Sequence, residues 1–178
     1  MGEWLFQLTE LLRQTQLVEF SLWVSDWPFA LWLQSNFLAI PGFQTIHILA
    51  IAVLFSATLM LNMRVWGLAG KDQSLEAAYR RYRPWTWYAI AALALTGIIL
   101  LISEPVRNMV NPIFWMKMIA LAVAITVSLV FQRAVKARMG EWEVSPAGHA
   151  RLRGGAVALT LLWCAVITGG RWIAYAPV

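Results

Sequence analysis

AIPGFQTIHILAIAVLFSATLMLNM, residues 39–63, contains no Asp, Glu, Lys or Arg. A helix needs about 20 mostly apolar residues to cross the hydrocarbon core of a bilayer, and this stretch exceeds that length. Three runs of the same character follow at 85–103, 113–132 and 155–175, with nearly all the charges placed between them. The pattern predicts an all-α integral membrane four-helix bundle. Composition agrees: 60% of the residues are hydrophobic and 13% charged, against about 25% charged in a soluble domain. In 178 residues, four spans and their connections leave no room for a separate soluble domain. The single cysteine, Cys164, lies in the fourth run, excludes an intrachain disulfide and reads as core filler.

Ahead of the first span, residues 3–13 set Trp4, Leu5, Leu8, Leu11 and Leu12 against Glu3, Gln7, Glu10 and Arg13 at helical spacing. This is the pattern of a helix lying on a membrane surface. Residues 17–37 are interrupted by Glu19, Asp26, Gln34 and Asn36 and broken by Pro28, so they read as one or two short interfacial helices. The chain therefore divides into an amphipathic interfacial segment, 1–37, and a four-span bundle, 38–178. The first residues lack the basic-then-apolar order of a secretory signal, so the first span is expected to serve as an uncleaved insertion signal.

Basic residues set the orientation. Loops 64–84 and 133–154 each hold five Lys or Arg, whereas the N-terminal segment has only Arg13 and the short loop 104–111 only Arg107. Positive charge stays in the cytoplasm, so both termini are expected in the periplasm of a bacterial inner membrane. The net charge of +5 thus reflects membrane topology rather than a nucleic-acid partner.

Ionisable groups inside spans are expensive, at about 2.5–3.5 kcal/mol each near a helix centre, so the exceptions are informative. On this topology His47, Glu104, Lys117 and Arg171 arrive from four spans in the outer third of the bilayer. They predict one polar pocket in which Glu104 pairs with Lys117 or Arg171. Simpler roles compete: Lys117 and Arg171 can snorkel to headgroups, Glu104 can face water, and His47 can bond a carbonyl or a threonine on a neighbouring helix. Gln44, Thr58 and Asn62 extend a polar stripe beside His47 that should face the bundle.

A b-type haem needs axial ligands at matching depth. Only His47 and His149 are available, on opposite sides, so two bis-His haems are excluded by count. A single His ligand or a His47–Met118 pair remains. A quinone headgroup would suit His47 and Lys117. One His, scattered Met and one Cys could hold copper, but no close ligand pair lies within one helix; His47 is the candidate metal ligand. No nucleophile–base pairing, phosphate loop or paired catalytic carboxylate is visible, so an enzyme acting alone is not expected.

Four phrases occur in order: Ile46-His47-Ile48-Leu49 with Arg64-Val65-Trp66-Gly67-Leu68; Arg83-Pro84-Trp85-Thr86-Trp87 with Thr96-Gly97; Asn111-Pro112 with Phe114 and Lys117; and Gly170-Arg171-Trp172-Ile173-Ala174-Tyr175. Together they resemble an uncharacterised family of small bacterial inner-membrane proteins, classed as a domain of unknown function. The resemblance implies no activity. The first span is also distantly similar to CopD-type copper-resistance membrane proteins and to haem-binding four-helix membrane proteins.

The function expected is that of a redox-associated subunit binding haem b or quinone near the periplasmic face, through His47, Met118, Lys117, Arg171 and Glu104. Two rivals are a carrier or sensor of copper or a small solute, and a structural subunit of a larger complex. The lipid bilayer and other membrane or periplasmic subunits are the expected partners.

Overall fold

The computed structural model describes residues 2–137 and 146–172. Among these the chain is helical and contains no strand: α1 (Gly2–Arg13), α2 (Leu17–Ser25), α3 (Pro28–Ser35), α4 (Ala39–Trp66), α5 (Leu75–Ser103), α6 (Pro105–Met109), α7 (Pro112–Ala137) and α8 (Pro146–Trp172).

Proline opens four of these helices, at Pro28, Pro105, Pro112 and Pro146. Its missing N–H is unneeded in a first turn and its φ already suits a helix. Two starts are capped by side chains, that of α7 among them. Asn111 Oδ1 accepts from the Ile113 amide at 2.9 Å ahead of α7, and Ser74 Oγ accepts from the Ala77 amide at 3.1 Å ahead of α5, each satisfying an otherwise orphan donor.

The end of α4 is a Schellman closure. The Leu68 amide reaches back to the Met63 carbonyl at 3.0 Å and the Gly67 amide to Arg64 at 3.1 Å. Gly67 supplies the required left-handed φ of 74°. Arg64 then folds over the loop and donates from Nε to the Gln73 carbonyl at 2.6 Å.

Four helical segments are long and apolar enough to cross a membrane: Ala39–Trp66, Leu75–Ser103, Pro112–Ala137 and Ala150–Trp172. The protein is a multi-pass membrane protein with an all-α four-helix bundle. None of α1–α3 approaches the length of a span, so no fifth crossing exists among the described residues.

Two expected boundaries move. Pro84 lies inside α5 rather than at its start. It removes a bond to the Arg80 carbonyl, a disruption worth about 3 kcal/mol in a helix interior. The helix nevertheless continues because Leu75, Ala78 and Tyr79, before the proline, are buried. The loop expected at 133–154 is likewise shorter: residues 133–137 end α7 and 146–154 begin α8. His149 thus falls in the first turns of α8, with its side chain outside the described set, as are residues 138–145 and Tyr175.

The chain forms two compact units. One comprises residues 1–50, 92–119 and 167–178, the other 51–91 and 120–166. In the first, α2 packs against α6, Ser21, Val24, Ala30 and Leu33 are buried, and Gln34 Nε2 donates to the Ser103 carbonyl at 3.0 Å. The amphipathic N-terminal segment is therefore seated on protein as well as presenting an apolar face. In the second, small residues Ala57, Ala89, Ala124 and Ala156 are buried, which permits the close helix approach on which packing in lipid depends. Trp87 Nε1 donates to Gln132 Oε1 at 3.0 Å within that core.

Candidate functional site

His47 lies in the third turn of α4, half-buried, and the site grows from its ring. Nδ1 stands 2.7 Å from Thr96 Oγ1 on α5, and that same hydroxyl donates to the Ala92 carbonyl one turn earlier, also at 2.7 Å. A hydroxyl has one proton. With that proton on the Ala92 carbonyl, Oγ1 accepts from His47 and Nδ1 carries the hydrogen, and in the neutral imidazole Nε2 then presents its lone pair. Either way Thr96 holds the orientation of the ring. Gly97 faces the ring: a Cβ there would meet the His47 Cε1 at 3.6 Å, an ordinary van der Waals contact.

Lys117 is the second element. Its stem lies along a glycine pair on α8, with a Cβ at Gly170 falling 3.7 Å from Lys117 Cε and 3.8 Å from Nζ. At Gly169 the nearest atom would be Lys117 Cβ, at 3.9 Å. A Cβ at either position would make ordinary van der Waals contact with the stem. Among the described residues no carboxylate pairs with Lys117. His47, Thr96, Lys117 and the glycine pair all belong to the first unit, on α4, α5, α7 and α8.

Glu104 is exposed and pairs with Arg107, three residues on, at 3.0 Å. The expected pairing with Lys117 or Arg171 is replaced by this local one, because Pro105 starts α6 and sets both side chains on one face of a single turn. Glu104 and Arg107 line a shallow groove of about 440 Å³ with Ser25, Gln34, Ile40 and Ser103. Arg171 ends α8 with an exposed side chain, one residue beyond the glycine pair. Met118 is level with Lys117 in sequence but turned about 100° around α7, and it is 39% exposed. It belongs to the outward face with Met116 and Ile119, so depth alone misplaced it as a partner of His47.

The polar stripe along α4 divides too. Thr58 and Asn62 are buried as expected, whereas Gln44 is exposed. Cys164, expected in the core, is exposed on α8. No group of three His, Cys, Asp or Glu residues able to hold a metal occurs among the described residues. Thr96 and the pair Gly169–Gly170 were the site residues hardest to see. A lone hydroxyl in a span and a glycine pair near a span's end carry signals only when their partners are known.

A family model described as "Family of unknown function (DUF6644)" matches residues 36–176, and the chain belongs to that family. The match covers all four spans and leaves α1, α2 and α3 outside it. No curated protein and no solved structure matches the chain.

Proposed function

We propose that this member of the DUF6644 family is a redox-associated subunit of the bacterial inner membrane that binds a quinone headgroup between His47 and Lys117, near the periplasmic face. The observation behind this reading is the bond chain His47–Thr96–Ala92, in the same compact unit as Lys117; with the Thr96 proton on the Ala92 carbonyl, Nε2 is an acceptor. A quinol hydroxyl can donate to Nε2, and a quinone carbonyl can accept from Lys117. Ile46, Ile48 and Leu49 around His47 are exposed on the apolar surface, so a headgroup with a long apolar tail can arrive from within the bilayer.

Haem b is the second reading, supported by the same tautomer. Ligating histidines are commonly oriented by a hydrogen bond from the nitrogen that does not touch the metal. His47 Nε2 would be the iron ligand and Lys117 a partner for a propionate; the haem would supply electron transfer. The outward turn of Met118 favours a single protein ligand over a His–Met pair.

Protein purified from membranes in mild detergent, analysed for extractable quinone, optical spectrum and copper, tests these readings together. About one quinone per chain without a Soret band is the expected result. A Soret band selects haem, and stoichiometric copper selects a copper carrier or sensor with His47 as ligand. Absence of all three supports a structural subunit and overturns the redox reading.

The same proposal places both termini in the periplasm, on the ten-to-two division of basic residues between the two long connections and the outer segments. In a Cys164→Ser background, Asn108→Cys should react with an impermeant thiol reagent added to intact cells, and Asp72→Cys should not. Asp72 is exposed between α4 and α5, and its replacement leaves the Ser74 cap intact. Outside labelling of Asp72→Cys would reverse the orientation.

A further inference from the structure

Asn62 is fully buried in α4, and its amide has only one workable orientation. Nδ2 donates to the Ala156 carbonyl at 3.1 Å and to Thr160 Oγ1 at 2.7 Å. Thr160 spends its own proton on that same carbonyl at 2.9 Å. Turning the amide over would set its oxygen against a carbonyl that can only accept, so both donors stay on α8 and Oδ1 points away. Oδ1 has no hydrogen-bond partner, and neither does the indole Nε1 of Trp163. Trp163 is 2% exposed and lies three residues after Thr160, on the neighbouring position of the same α8 face. One orphan atom is an acceptor and the other a donor, and both belong to the second unit. In lipid neither can turn to solvent.

We propose that α4 and α8 hold one ordered water between Asn62 Oδ1 and Trp163 Nε1. The water donates to Oδ1 and accepts from the indole N–H. Thr58, buried one turn before Asn62 on the same face of α4, provides its third bond. Buried waters typically make about three such bonds to groups that the protein leaves unsatisfied. Immobilising one water is less unfavourable than leaving two polar groups bare in an apolar interior. Water is the occupant because one orphan atom is an acceptor and the other a donor, and a single water can serve both. The site gives the first and fourth spans a shared polar contact that fixes their register where apolar packing alone would permit sliding.

Two measurements test it on the full-length protein. In detergent or nanodiscs, the indole proton of Trp163, assigned by its contacts to Thr160 and by its loss in Trp163→Phe, should show a cross peak to a long-lived water. A protected indole proton without that peak overturns the proposal. Second, Thr58→Val and Trp163→Phe should each lower Tm by about 2–4 °C, and the double variant should lose clearly less than the sum, because both singles disturb one water. Strictly additive losses overturn the proposal as well. The wild-type spectrum decides the matter where a variant fails to accumulate.

Discussion

His47→Ala abolishes ligand binding in the expected outcome, and Thr96→Val weakens it by about 10–100-fold, the range for losing a group that orients a ligating histidine. His47 supplies the only imidazole in the first unit, so alanine leaves no acceptor for a quinol and no nitrogen for iron. Thr96→Val preserves side-chain shape but removes the oxygen that pairs with Nδ1. The ring can then carry its proton on either nitrogen and rotate, and Nε2 ceases to be reliably an acceptor. Because Thr96 is buried, its loss also lowers stability, so the diagnostic comparison is with Thr96→Ser. Serine keeps the hydroxyl and should restore most of the binding. The readout is quinone retained after purification, together with titration of a soluble quinone analogue. Wild-type binding in Thr96→Val, or equal damage from Thr96→Ser, would show that the tautomer is not what the ligand reads.

Lys117→Met should separate stability from function. Lysine in a span costs about 2.5–3.5 kcal/mol at the helix centre, and no described carboxylate offsets it here. Methionine is unbranched like lysine and can lie along Gly169 and Gly170 with the same stem contacts. Replacement of a buried charge by a well-packed apolar group is often neutral or stabilising by about 1–4 kcal/mol. The variant is therefore expected to melt several degrees higher than wild type and to bind quinone at least tenfold more weakly. Thermal melting and analogue titration on one preparation measure both. A variant that melts lower and binds normally would make Lys117 an anchor for the helix end, and the donor assigned to it would be withdrawn.

Residue 117 also shows how far the chain can be read without its fold. That an unpaired cation sits near one end of an apolar run follows from counting along the chain. That Lys117 faces α8 while Met118 faces outward depends on the rotation of α7, and two residues of equal depth part by about 100°. Glu104 was misassigned for a related reason: its proline-started turn offered Arg107 three residues away, and a local partner on one face needs no tertiary arrangement. Pro84 erred the other way. Its local signal is a helix start, but burial of Leu75, Ala78 and Tyr79 carried the helix through it.

The sequence by itself determined the membrane setting, the four spans and the short helices before them, broken at Pro28. These are one-dimensional properties: the bilayer sets a minimum apolar length, and a proline without an N–H suits a first turn wherever it occurs. Only the tertiary structure decided that the hydroxyl of Thr96, 49 residues from His47, pairs with its ring, that Gly169 and Gly170 make the bed for Lys117, and that Asn62 spends both donors on α8. Those contacts depend on how each helix is rotated about its axis. In lipid that rotation is set by close packing of small residues and by hydrogen bonds between helices, because the apolar side chains that mark the spans are equally at ease facing the tails or one another.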